Sequence, residues 1–448
     1  MAQPELERSL GLTSAIAIVV GGVIGSGIFL KPFDIAANLP SMGWIFACWI
    51  GLGAICLFGA FAYAELGALL PEAGGQYAFL REAYGRFPAF LYGWVLFLVI
   101  NTGTMAALAV AFARSLASVI ALSASGEIAV AVAMIVVLAL VNHFGVRAGA
   151  ALQNLSTFAK LAALAAIVLG GFVSAPYAAP AASAPVPPMP DLASGLVVSA
   201  MAIFWAYEGW YQLPFNAAEM RHPERTLPRG LILGTLALIV VYVSMNAAYL
   251  RVVPLVEMRT LERDIDVPLL AIERMLGGPS RSAFALLLCL SVLGAANPCL
   301  LSTPRAFYAM AQDGLLIRSL MRVHPTFRTP TVAIWTQALW AVALVVVLET
   351  FRDITEFVIF AALLFYALTV AAVFVLRRKL PERPRPYSCW GYPWAPAVFV
   401  LVVLLVDVRT LMDPVSRKNS LLGLLILAAG ALVYAVARGR ARRTAHRH

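Results

Sequence analysis

The 448-residue chain carries little charge. Asp, Glu, Lys and Arg together make up 12% of it, against roughly 25% in an ordinary soluble domain. That scarcity excludes a water-solvated globular fold. Histidine and cysteine are also scarce, at 5 residues each. Cys48, Cys56, Cys289 and Cys299 fall in apolar runs and Cys389 in a basic loop. None has the spacing of a metal site, and no disulfide is expected. No metal or other cofactor is called for. The alternating ~10-residue segments of a membrane β-barrel are missing. The opening MAQPELERSL is polar and mixed in charge, which argues against a cleavable signal peptide. What remains is 61% hydrophobic. Runs of about eighteen or more apolar residues recur along its length, the mark of an all-α membrane protein.

Glycine, proline and charge punctuate these runs into twelve expected transmembrane helices. They lie near 10–37, 43–70, 87–113, 127–143, 149–173, 192–218, 229–250, 282–310, 330–349, 355–377, 395–412 and 420–437. Between the fifth and sixth lies SAPYAAPAASAPVPPMP (174–190), too rich in proline for helix and read as an extended outer loop. With the N-terminus in the cytoplasm, twenty of the 33 basic residues fall on inner segments and ten on outer ones; Lys31, Lys160 and Arg305 lie within spans. This bias predicts cytoplasmic termini in a cell-membrane protein. The tail RGRARRTAHRH then serves topology and anionic lipid, with no need of nucleic acid.

Two spans are interrupted. The first contains GGVIGSG (21–27), although each glycine inside a helix costs roughly 1 kcal/mol relative to alanine. The sixth contains FWAYEGW (204–210), with Glu208 in mid-membrane, where an acid is a functional-site hypothesis by default. Spans one and six each open a set of five, and an odd set inverts its successor. Interrupted spans at matching places in two halves point to a transporter site. Broken helices free N–H groups at one end and C=O groups at the other. The N–H groups suit a carboxylate and the carbonyls an ammonium, so the pair suits an amino acid zwitterion. Close helix packing by small residues is the competing explanation of the glycines.

These residues carry a resemblance. GGVIGSGIFLKP (21–32), AYAELGALLPEAGGQYAFLREAYG (62–85), FWAYEGW (204–210), AAEMRHPERTLPRG (217–230), LGAANPCLLSTPRAFYAMAQDG (293–314) and RPYSCWGYP (385–393) resemble the amino acid–polyamine–organocation superfamily. Within it they are similar to the L-type amino acid transporter family and its bacterial relatives. The resemblance implies a five-plus-five inverted-repeat (LeuT-like) fold with discontinuous helices 1 and 6, working by alternating access. Residues 1–174 would form the first repeat, 175–191 the outer loop, 192–378 the second repeat, and 379–448 the last two helices and the tail. It implies that the N–H groups of Gly25, Ser26 and Gly27 bind the substrate carboxylate. The carbonyls of Val23, Trp205, Ala206 and Glu208 would bind its ammonium, with Trp205 as an aromatic lid.

Lys160 is about ten residues from Gly149 and from Gly170, too deep to reach either surface easily. By resemblance it would sit at the break of span one, where sodium-coupled relatives hold a cation. As a permanent cation it would give a sodium-independent exchanger; by loading and releasing a proton, a proton-coupled symporter. Glu208 could attract cationic substrates or pair with a protein donor, and the second reading favours neutral ones. Asn297, before Pro298, would mark a further opening or a helix–helix hydrogen bond. Asn101, Thr102 and Tyr207 are candidates to line the pocket. Glu65 and Glu219 read as inner-face acids paired with Arg147 or Arg229, and residues 251–280 as short amphipathic helices over the outer vestibule. His143 and His222 read as structural. L-type relatives in eukaryotes join a glycoprotein subunit by a disulfide from the loop after span three. The loop around 123–126 has no cysteine, so no disulfide-linked heavy subunit is expected, and the chain would act as a monomer or homodimer. The expected function is secondary active transport of small neutral L-amino acids, not enzymatic catalysis. A cationic carrier and an amino acid sensor without turnover are the alternatives.

Overall fold

The computed structural model describes residues 7–174, 189–261, 267–277, 280–347, 351–412 and 417–445, with side chains described except at 276, 351–357, 418–419 and 437–445. The Pro/Ala loop at 175–188 and the basic side chains of the tail lie outside that description. The described residues are helical, with no strand beyond an isolated bridge between Leu10 and Met220.

The first span is two pieces, α1 (Leu12–Val23) and α2 (Gly27–Leu30), followed by the short α3 (Pro32–Asn38). α4 (Met42–Leu69) starts where the Ser41 hydroxyl accepts from the Trp44 amide at 3.4 Å, a side-chain cap for an otherwise orphan N–H. α5 (Gln76–Tyr84) leads to α6 (Arg86–Val95), a π turn (Leu96–Ile100) and α7 (Asn101–Ala117), which together make one long span. α8 (Ala124–His143) is capped by Ser123, and α9 (Val146–Val173) follows. α10 (Leu192–Ala206), capped by Asp191, stops at Ala206, and the span continues as a 3-10 segment (Trp210–Glu219). α11 (Pro223–Val252) begins with proline in its first turn, where no N–H is needed. Two short helices follow, α12 (Leu255–Thr260) and α13 (Val267–Leu276), as the mixed charge of 251–280 suggests. α14 (Ser280–Leu301) runs through Pro298 and gives way to α15 (Pro304–Gln312). The chain ends with α16 (Thr331–Val347), α17 (Phe351–Lys379), α18 (Trp394–Met412) and α19 (Arg417–Ala445).

Ten helical segments are long and apolar enough to cross a membrane among the described residues. Thr331–Val347 and Ser420–Val436 are apolar but shorter, and they fall where spans nine and twelve were expected. α1 is the hub. It packs on α9, α11, α14 and the 3-10 segment and buries Ala15, Ile18, Val19 and Val23. α9 and α8 instead expose Leu155, Phe158, Leu169 and Val137, apolar side chains whose natural solvent is lipid. The functional part of the chain is thus wrapped by other helices.

Candidate functional site

The helix of α1 ends where the Ile24 amide donates to Val20 O at 2.9 Å. It restarts at Gly27, with Ser26 O accepting from Phe29 at 3.1 Å and Leu30 at 2.8 Å. Between the two pieces, the Gly25 and Ser26 amides donate no backbone hydrogen bond among the described residues. Span six breaks beside it. α10 ends at Ala206, and the chain turns at Gly209, which holds φ +119°, a conformation open to glycine and strained for other residues. The two breaks touch. A Cβ on Gly27 would stand 2.5 Å from Ala206 Cα, and one on Gly209 would stand 3.1 Å from Gly22 O. Glycine at these places therefore serves close approach of the two backbones, so packing and site are the same feature here.

The carbonyls freed in span one are taken up by side chains from three helices. Lys160 of α9, fully buried, donates to Gly21 O at 2.8 Å, Ile24 O at 2.7 Å and Ser291 O at 2.9 Å. An ammonium has three donors, and each has an acceptor here. The Ser291 hydroxyl of α14 lies 3.1 Å from Ile24 O and 3.0 Å from Gly25 O. Tyr242 of α11 reaches Ala206 O at 2.6 Å and Val23 O at 3.3 Å. Sequence reasoning missed Ser291 and Tyr242. A tyrosine and a serine in apolar runs carry no signal of their own until the fold brings them to the break.

The structure brings Val23, Gly25, Ser26, Gly27, Trp205, Ala206 and Lys160 together, with the Trp205 indole N–H 3.4 Å from the Ser26 hydroxyl. The carbonyls of Val23 and Ala206 share the Tyr242 hydroxyl. Glu208 points elsewhere. It accepts from the Tyr366 hydroxyl at 2.7 and 2.9 Å. With Tyr207, Trp210 and Cys56 it lines a cavity of about 10 Å³, room for about one water. Asn101 and Thr102 are not at the break: Asn101 donates to Cys299 O at 3.1 Å and Thr102 to Phe97 O at 2.6 Å. The residue of that span facing Gly25 is Leu108, two turns on. Asn297 takes the helix–helix role. It accepts from Asn142 at 2.9 Å and donates to Gly149 O at 3.0 Å and Gln153 Oε1 at 2.9 Å. α14 stays helical through Pro298 and opens only after Leu301.

The acids expected to pair with Arg147 or Arg229 have other partners. Glu219 receives Arg305 through two hydrogen bonds of 2.9 Å, both groups buried. Arg305, a basic residue within a span, carries no signal of this pairing along the chain. Glu65 receives Arg377 at 2.9 and 2.6 Å, Arg385 at 3.3 Å and the Cys389 amide at 2.6 Å. Burial, aided by the Glu65 charge, pushes the Cys389 thiol up to about 12, so it remains a neutral thiol. Arg147 pairs with Glu7 at the surface. His143 accepts from the Trp335 indole at 3.3 Å, and no group of three or more metal-ligating side chains is gathered among the described residues.

Backbone opened in two adjoining spans, with a buried ammonium fixed to one of them, defines a multi-pass membrane protein of the solute-transporter class, not an enzyme. Residues 10–432 match the model of the amino acid permease family, and the chain belongs to that family. It is similar to the serine/threonine exchanger SteT of Bacillus subtilis, 30% identical over 96% of both chains. It is similar to the human b(0,+)-type amino acid transporter 1, 30% identical over 96% of this chain and 88% of the relative. The large neutral amino acids transporter small subunit 2 of mouse is 32% identical over 85% of this chain and 72% of its own length. Amino acid transport is the activity this kinship assigns.

Proposed function

We propose that the chain exchanges small, neutral L-amino acids across the cell membrane by alternating access, without sodium. The observation that carries this reading is the Lys160 ammonium seated on Gly21 O, Ile24 O and Ser291 O. A tethered cation with every donor satisfied can hold the freed carbonyls that a bound metal ion would otherwise hold. The substrate carboxylate would meet the N–H groups of Gly25, Ser26 and Gly27, which begin the second half of span one. Its ammonium would meet the carbonyls of Val23, Trp205 and Ala206, sharing them with Tyr242. Trp205 would cover it.

A neutral substrate is supported by Glu208, which is paired with a protein donor, the Tyr366 phenol. The exchanger and neutral-transporter names of the relatives agree with this. The architecture we infer has twelve spans, the two short apolar helices included. Five-helix repeats occupy 1–174 and 192–378, linked by the loop 175–191, with 379–448 as an appendix. Both termini lie in the cytoplasm, and no disulfide-linked heavy subunit is required. Proton-coupled uptake is the second reading, favoured by the acid buried at span six.

Uptake of radiolabelled serine, alanine, leucine and arginine into proteoliposomes, with and without internal amino acid and with and without a pH gradient, tests both. Exchange predicts uptake that needs internal substrate and ignores sodium. Uptake driven by the pH gradient alone selects symport. No uptake of any amino acid under any condition overturns the reading.

A further inference from the structure

Glu208 has two phenols beside it, those of Tyr366 and Tyr211, and no cation among the described residues. Tyr366 Oη lies 2.7 Å from one carboxyl oxygen and 2.9 Å from the other. A phenol has one proton to donate, and it can be aimed well at one oxygen only. The second contact becomes a full hydrogen bond when the acid carries a proton of its own and donates it to Oη. The titratable groups around the pair are Cys56 and Tyr63 of α4, Tyr92 of α6, Tyr211 of the 3-10 segment and Cys299 of α14. All are thiols or phenols, neutral near pH 7. α18 presents Phe399 and α10 presents Phe204.

Charged groups on the packed helices are engaged or remote. Glu65, nine residues from Cys56 on α4, is held by Arg377 of α17 and by Arg385. Asp407 of α18 is eight residues beyond Phe399, about 12 Å along a helix. Lys160 is spent on three carbonyls of α1 and α14. No ion pair reaches Glu208 among the described residues. A carboxylate buried without a counter-charge takes a proton in preference to standing ionised.

We propose that Glu208 is a proton-binding site of the transport cycle. It is the neutral acid while the two breaks are closed together, as here. It ionises when alternating access opens span six to water and the Tyr366 contact is lost. The proton passes from the carboxyl to a water, giving carboxylate and hydronium, and returns by the reverse step on closing. This rests on the transport reading and adds that closing takes up one proton. Raising pH then disfavours closing, in the alkaline limit by about tenfold per pH unit for one proton. The proton so assigned sits on Glu208, while the three donors of Lys160 remain on the carbonyls of Gly21, Ile24 and Ser291.

The test uses the full chain in proteoliposomes, with exchange of the best amino acid from the uptake screen measured at equal internal and external pH from about 5.5 to 9. The wild type should lose exchange steeply on the alkaline side. Glu208→Gln, at whatever rate it works, should lose that slope, because an amide holds the Tyr366 contact at every pH; Tyr366→Phe should keep it. If Glu208→Gln is inactive, proton uptake decides. Adding the amino acid to purified protein in weakly buffered detergent, followed with a pH indicator, should consume about one proton per wild-type chain and none in Glu208→Gln. Wild-type exchange that is flat over the range, a Glu208→Gln profile equal to wild type, or equal proton uptake by both overturns the inference. A wild type that moves no amino acid defeats the transport reading instead.

Discussion

In span one the break falls between Val23 and Gly27, and side chains from α9, α11 and α14 hold its carbonyls. In span six the break falls between Ala206 and Trp210, turned by Gly209 with only the Tyr242 hydroxyl on its last helical carbonyl. What secures span six lies at its far end, where Glu219 meets Arg305 and the Ser9 and Leu10 amides donate to Glu219 O at 2.9 Å. One break is therefore fixed at its centre by a charge. The other is pinned at its end and can turn about Gly209. The lesson is mechanical: a static cation is suited to a fixed point, and an acid lined by aromatics and held by neutral phenols is suited to a part that moves.

The largest expected effect removes the fixed point. Lys160→Ala strips three charge-assisted hydrogen bonds, at roughly 1.5–3 kcal/mol each. Exchange in proteoliposomes should be abolished while the protein still reaches the membrane; near-normal exchange would remove the ammonium from the mechanism. Gly294→Ala probes the same seat more gently, because the new methyl would stand 2.7 Å from Nζ. It should lower exchange without abolishing it.

Next comes the far end of span six. Arg305→Ala leaves Glu219 buried without its counter-charge, with only the Asn216 amide at 3.1 Å left on its carboxylate among the described residues, a change that costs about 3–5 kcal/mol in comparable pairs. The melting point in detergent should fall well below wild type, and removing both partners should cost less than the sum of the single changes. Additive losses would show that the pair does not act as a unit.

Tyr242 donates to a carbonyl at each break. Tyr242→Phe leaves Ala206 O short of its 2.6 Å donor, worth about 1–3 kcal/mol for a buried group. The reading in which Tyr242 and substrate ammonium share these carbonyls predicts a changed KM for amino acids. A purely mechanical link between the spans predicts a lowered maximal rate at constant KM. The same order of cost, about 1–3 kcal/mol for overpacking, is expected of Gly27→Ala against the Ala206 backbone.

How much of this the sequence disclosed follows from what kind of signal each part leaves. Spans were legible because bilayer thickness imposes length and apolarity on every one of them. The breaks were legible because glycine and glutamate are costly at depth, so their presence needed a reason. Lys160 was legible for the same reason. Partners across the bundle were not. Glu65 and Arg377 are 312 residues apart, and Glu219 and Arg305 are 86 apart. Nothing along the chain separates Arg377 from Arg147 or Arg229 as a partner. Ser291 and Tyr242 were invisible because single hydroxyls are ordinary in membrane helices. Only their position over freed carbonyls makes them matter.

The smallest expected effect tests where the pocket stops. Thr102 was a candidate to line it, yet its hydroxyl donates to Phe97 O at 2.6 Å. That acceptor lies in the π turn Leu96–Ile100 of the same span. Thr102→Val keeps the shape and removes one bond worth about 0.5–1.5 kcal/mol net. That loss falls on the local turn and not on the break, where Leu108 faces Gly25. KM and the order of preferred amino acids should therefore stay within about twofold of wild type, since about 0.4 kcal/mol already gives a factor of two. Leu108→Ala, by contrast, enlarges the space beside Gly25 and should admit bulkier side chains in competition uptake. If Thr102→Val shifts preference and Leu108→Ala does not, the pocket extends along α7 toward the π turn. The substrate would then lie against the moving break of span six more than against the fixed one.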